Sequence, residues 1–321
     1  MPRSGDLSRV AEGGERRVSF AGAVARFNDA AVRDLAWLLF SPDLLSASHA
    51  GAPLACPVES DKRAAVSGWL EALDDNPEAL HALVRKPSLR RLGLYAEALL
   101  EYFLTHGPNA RLIAANVPLR AAGQTLGEVD FLLHNARRER LHWELAVKFY
   151  LHIGEGAAAL SDYVGPNLQD RFDLKHDRLL HHQLGLSARD EFASLGFEGP
   201  WRAELFVKGR LFYRQCAAPT LPPELADDHL RGWWMTVSEW QESKGDEAFA
   251  VVPRLAWLAE RSLSNEEAGT LTFDAGALTS PTMVANYDRS AGDIWRERSR
   301  GFIVPDEWPE RALRYARLTT T

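Results

Sequence analysis

Between Gly127 and Tyr150 the chain alternates so regularly that only one local structure accommodates it. The segment reads Gly-Glu-Val-Asp-Phe-Leu-Leu, then a charged turn from Asn135 to Arg140, then Leu-His-Trp-Glu-Leu-Ala-Val-Lys-Phe-Tyr. Successive side chains of a strand point to opposite faces. Two strands joined by this turn therefore place Trp143, Leu145, Val147 and Phe149 on a wholly apolar face suited to a core. The other face carries His142, Glu144, Ala146, Lys148 and Tyr150, with Glu128, Asp130 and Leu132 together on the partner strand. Cross-strand neighbours lie about 5 Å apart. Three carboxylates and a lysine on one side of a hairpin form a candidate corner for a hard cation such as Mg²⁺, which needs only a few carboxylate oxygens plus water. The alternative from spacing alone is an edge hairpin whose polar side faces water.

Composition narrows the class. With 321 residues, 46% hydrophobic and 25% charged, the chain is long enough for one large or two ordinary domains and has the make-up of a globular protein. No apolar run approaches the length of a membrane span, so no membrane partner is expected. The first residues lack the apolar stretch of a secretory signal and read as a disordered leader over 1–20. Cys56 and Cys216 are the only cysteines and have no ligand spacing, which argues against a disulfide framework or zinc and favours a reducing, cytoplasmic setting. A net charge of -7 means that any contact with a polyanion comes from a local patch.

Helical periodicity predicts a first helix over Val24 to Leu45, two shorter ones over Asp61 to Leu73 and Pro77 to Val84, and a fourth capped by Ser88 and stopped at Gly107, carrying Glu97 and Glu101. Residues 21–88 thus read as a helical N-terminal subdomain. Strand character follows at Arg111 to Val117, before the hairpin, and again at Ala203 to Tyr213, where Lys208 and Arg210 read as exposed exceptions. Between them Gln169 to Leu186 reads as a helix with Arg171, Lys175, Arg178 and His182 in one stripe. Such a stripe can follow a phosphate backbone. It can equally be a solvated face paired with Asp170, Asp173 and Asp177. The last third, 216–321, holds Trp233, Trp234, Trp240, Trp257, Trp295 and Trp308, read first as packing residues and alternatively as a base-stacking platform. A strand at Phe249 to Val252 and a final helix near Pro309 to Leu318 complete the pattern.

The order helix with Glu97, strand, strand with Asp130, strand with Glu144 and Lys148, basic helix, strand resembles the αβββαβ core of the PD-(D/E)XK restriction-endonuclease-like superfamily. The whole chain also looks like an uncharacterised bacterial family of unknown function assigned to that superfamily. The resemblance implies an α/β fold of the α+β mixed-sheet kind, with a restriction-endonuclease-like αβββαβ core over 89–215, a helical N-terminal extension and an aromatic-rich C-terminal extension over 216–321 packed on the core. It further implies a Mg²⁺- or Mn²⁺-dependent nuclease in which Asp130 and Glu144 are metal ligands, Glu128 is a replacement ligand, Glu97 assists from its helix and Lys148 stabilises the attacking hydroxide. Arg171, Lys175 and Arg178 would bind nucleic acid, DNA ahead of RNA. The sequence departs from the superfamily pattern at Ala146, two residues before the lysine, where an acid is usual; Glu144 lies about 6.6 Å further back on the same face. Two accounts fit: a migrated acid that still reaches the metal, or a degraded site. A catalytically inactive nucleic-acid-binding or protein-interaction module is the competing reading, and a purely structural partner protein a third.

Overall fold

The computed structural model describes residues 20–154, 158–197, 199–215, 219–243, 248–269, 273, 275–289 and 294–317. Most of the expected leader and Cys216 lie outside these residues. The fold is a mixed α/β one built on a single ten-stranded sheet. Its strands are β1 (Ala110–Ala121), β2 (Gln124–Asn135), β3 (Arg140–His152), β4 (Tyr163–Val164), β5 (Arg202–Arg214), β6 (Arg231–Thr236), β7 (Ala248–Val251), β8 (Ser262–Ser264), β9 (Thr282–Arg289) and β10 (Ile294–Val304). They are ordered β1-β2-β3-β5-β6-β10-β9-β7, with β4 on β3 and β8 on β10. The central pairs β3–β5, β5–β6 and β6–β10 are parallel and the outer ones antiparallel. The strands after residue 215 therefore continue the sheet of the preceding region.

The alternation of β3 places its two faces in different cores. Trp143, Leu145, Phe149 and Leu151 join the main core, with Phe131, Leu133, Phe206 and Phe212 and the helices Ala30–Phe40, Arg63–Asp75 and Leu92–His106. Val147 is half-buried at its edge. Ala146 and Tyr150, from the opposite face, join a second cluster with Leu205, Val207 and Leu211 under Phe172 and Leu179. Burying a Leu or Phe side chain of this kind contributes about 1.5–3 kcal/mol relative to leaving it in water.

Several sequence expectations shift. The first helix is two, Phe20–Ala25 and Ala30–Phe40, because Asp29 caps the second by accepting from the Ala31 and Val32 amides at 3.0 and 3.1 Å. Ser88 is not a cap: the next helix starts at Leu92, preceded by Arg91, and does end at Gly107. The basic helix is shorter than its periodicity suggests, running Phe172–Arg178 before a π-helical turn over Leu179–Gln183. Lys208 and Arg210 are buried, not exposed. They lie on the main-core face of β5 and are paired there: the Lys208 ammonium donates to the Ser41 carbonyl at 2.6 Å and pairs with Asp43 at 2.9 Å, and Arg210 pairs with Glu260 through Nη2 while its Nε is left without a partner among the described residues. Trp234, Trp240, Trp257 and Trp308 are buried packing residues. The last helix spans Trp308–Ala316.

Candidate functional site

The β2–β3 ladder holds only four residue pairs, from His134–Arg140 to Phe131–Trp143. Beyond them the strands part, although β3 stays paired to β5 from Leu141 to Leu151. On the β2 side β3 is next met by β4, at Leu151 and His152. The sheet thus opens along one edge of β3, and side chains replace main-chain bonds at the fork. The Asp130 carboxylate accepts from the Leu145 amide at 2.8 Å, and the Asp130 amide donates to Glu144 Oε1 at 3.4 Å.

Glu144 is almost wholly buried and fully engaged. Its Oε1 accepts from His142 Nε2 at 2.7 Å and its Oε2 from Gln183 Nε2 at 3.0 Å. His142, itself buried, contacts the Ser187 hydroxyl through Nδ1 at 2.8 Å. With Nε2 as donor to the carboxylate, Nδ1 of a neutral imidazole accepts from Ser187. Gln183 reaches Glu144 from the π-helical turn and also donates to the Glu128 carbonyl at 3.4 Å. Glu144 is therefore held in one orientation from three elements.

Burial, and then the field of Glu144, push the Asp130 carboxyl up to about 8; the Leu145 amide and Lys175 oppose this, while Glu97 adds to it. Glu97, half-buried on its helix, is likewise raised by burial, Glu128 and Glu144, against Arg91 and Lys175. The acids expected from sequence to meet do share one electrostatic environment. Lys175 faces it from the Phe172–Arg178 helix: burial and the neighbouring Lys148 lower its pKa, while Asp130 and Glu144 raise it. Among the described residues it has no ion-pair partner.

Lys148 is placed differently from expectation, since its ammonium is paired with Asp170. Arg171 also leaves the stripe. It is buried, bound through Nε and Nη2 to the Asp173 carboxylate at 2.6 and 2.9 Å, and donates through Nη1 to the Ala316 carbonyl at 2.9 Å. Arg178 is exposed. Ala146, between Glu144 and Lys148, is buried in the apolar cluster, a setting that would strip water from a carboxylate there. Among the described residues no three His, Cys, Asp or Glu side chains are gathered in a metal-holding group.

Below the fork the open edge of β3 becomes a cleft of about 290 Å³ lined by Val147 to Tyr150, Arg91, the 165–170 loop, Arg254 and Trp257. Sequence reading missed Gln183, Ser187 and Asp170 as partners of the site. The His142-x-Glu144 spacing was the one available signal, since i and i+2 of a strand share a face; Gln183 reaches the site only through the π-helical turn.

A model of the family described as "Domain of unknown function (DUF1853)" matches residues 33–304. No curated protein and no solved structure matches the chain. Among the described residues, no helix is long and apolar enough to cross a membrane.

Proposed function

From a chain that belongs to the DUF1853 family, whose description carries no chemistry, we propose a metal-dependent nuclease that hydrolyses phosphodiester bonds of DNA or RNA in the cytoplasm. The observation that carries this reading is the fork in the sheet, where Asp130 and Glu144 are pressed together with Glu97 beside them and Lys175 facing them. Crowded, partly desolvated carboxylates favour a cation between them, and Mg²⁺ or Mn²⁺ accepts a site with few protein ligands completed by water. Asp130 and Glu144 would hold the ion, with Glu97 and Glu128 acting through water. When bound it supplies Lewis acidity toward a phosphoryl oxygen and acidifies a water. His142 and Gln183 keep Glu144 from turning away, as partners of a ligating carboxylate do. Lys175, which has no ion-pair partner among the described residues, stabilises negative charge as water oxygen bonds to phosphorus and the ester P–O bond breaks; Lys148, tied to Asp170, orients the strand.

The test is cleavage of labelled single- and double-stranded DNA and RNA with Mg²⁺ or Mn²⁺, alongside calorimetric titration of the ions. Asp130→Asn is expected to lose metal binding and cleavage together; Lys175→Met is expected to keep metal binding and lower cleavage by about 100-fold or more. Wild-type protein that binds neither ion at millimolar concentration, nucleic acid present, sinks the reading. In that event the second reading, an inactive nucleic-acid-binding or protein-interaction module, takes its place. It has its own support: both Glu144 oxygens already accept from protein donors, and position 146 sits in an apolar cluster.

A further inference from the structure

The cleft along the open edge of β3 has a division of surfaces that the carboxylate site does not use. Its floor is apolar and buried, formed by Phe149, Tyr150, Pro166 and Trp257. Its rim is polar and exposed: Arg91, Arg254, Asn167 and Gln169. Neither Arg91 nor Arg254 has an acid partner among the described residues, and Arg254 lies over the Trp257 ring at 5.3 Å from its centroid. Two unpaired guanidinium groups at one cleft are notable on a chain of net charge -7. They suit an anion, since guanidinium forks match phosphate oxygens, while the amides of Asn167 and Gln169 offer donors and acceptors to a base edge.

At about 290 Å³ the space lies near the lower end of ligand pockets, which run from about 300 Å³ upward, enough for one nucleoside-sized group and too small for a duplex. Lys148, four residues along β3 from Glu144, lines the same cleft, so a strand laid in it leads to the carboxylates. Resting on the nuclease reading for its context, we infer that this cleft binds one unpaired nucleotide of a single-stranded nucleic acid. Arg91 and Arg254 hold its phosphate, and its base lies against the apolar floor within reach of Asn167 and Gln169.

Binding is measured in EDTA, so that no metal or cleavage is needed, by fluorescence anisotropy of a short fluorescein-labelled single-stranded oligonucleotide and of a blunt duplex of the same sequence. The single strand is expected to bind about tenfold or more tighter than the duplex, and the double variant Arg91→Ala/Arg254→Ala to lose about tenfold for the strand with unchanged circular dichroism and melting. Equal binding by wild type and variant, or preference for the duplex, overturns the inference. Adenosine monophosphate competing as well as the unlabelled strand makes the ligand a free nucleotide and overturns it too. The two proposals fail separately: strand binding lost in the arginine variant while wild type neither binds metal nor cleaves defeats only the nuclease reading. Cleavage by wild type with unchanged binding by the variant defeats only the cleft.

Discussion

Asp130 is the residue on which pH acts most directly. Burial and the neighbouring Glu144 push its carboxyl up to about 8 in the folded chain, against about 4 for an unperturbed aspartate. The unfolded chain releases this proton first, so the group's contribution to stability falls as pH rises from about 4 to about 8, and the penalty is complete above that window. Asp130→Asn is expected to match wild type near the lower limit and to exceed it above the upper one, by up to about 5 kcal/mol for four pH units, as read from urea unfolding at the two ends. A variant that follows the wild-type pH profile would show that another group carries the effect. The acids of the site were legible in sequence because strand alternation assigns Glu128, Asp130 and Glu144 to one side without tertiary information. The partners of the two lysines were not. Nothing in the strand pattern of Lys148 or the helical stripe of Lys175 tells that Asp170 pairs with the first, while the second has no ion-pair partner among the described residues.

At the scale of elements, the backbone of β5 leaves no room for a side chain opposite Lys148. Gly209 pairs with it in the ladder at φ +153°, and a Cβ there would stand 1.7 Å from the Lys148 carbonyl oxygen. No side-chain rotation relieves a clash with backbone, so Gly209→Ala is expected to cost about 3 kcal/mol or more, seen as a lower urea midpoint, and to displace Lys148 from Asp170. A wild-type midpoint would mean that the two strands separate easily there. Elements with a sharp period, such as β3 and the Leu92–His106 helix, could be read within a few residues of their ends. The misread ones turn on local competition. Asp29 offers its carboxylate to two amides and breaks a continuous apolar period, whereas Ser88 has the chemistry of a cap and no helix beginning beside it. Lys208 and Arg210 looked exposed because charge usually is, and their half-buried acid partners and the Ser41 carbonyl come from segments distant in sequence.

Over the whole molecule, one buried ion pair ties the N-terminal helices to the last third of the chain, and a second braces that third internally. Asp34, in the Ala30–Phe40 helix, accepts from both Nη atoms of Arg261 at 2.9 and 2.7 Å, from the Tyr95 hydroxyl at 2.9 Å and from the Ala259 amide at 3.0 Å. Arg300, buried in β10, donates to Glu297 and to the carbonyls of Trp257 and Ala259. Asp34→Ala leaves Arg261 without its acid and is expected to cost about 3–5 kcal/mol, measured by thermal melting. A fragment ending at residue 215 would lose these partners and uncover the β5 edge that β6 covers; it is expected to aggregate, which size-exclusion chromatography would detect, and a monodisperse, cooperatively melting fragment would contradict this.

The fork between β2 and β3 also couples chemistry to the backbone. Because the Leu145 amide bonds to the Asp130 carboxylate and not to a main-chain carbonyl, its electronic environment follows the charge on that side chain. A single ¹⁵N–¹H resonance then becomes an internal indicator of whether the acid holds a proton or faces a cation, a reporter that requires neither substrate nor an attached probe at the site.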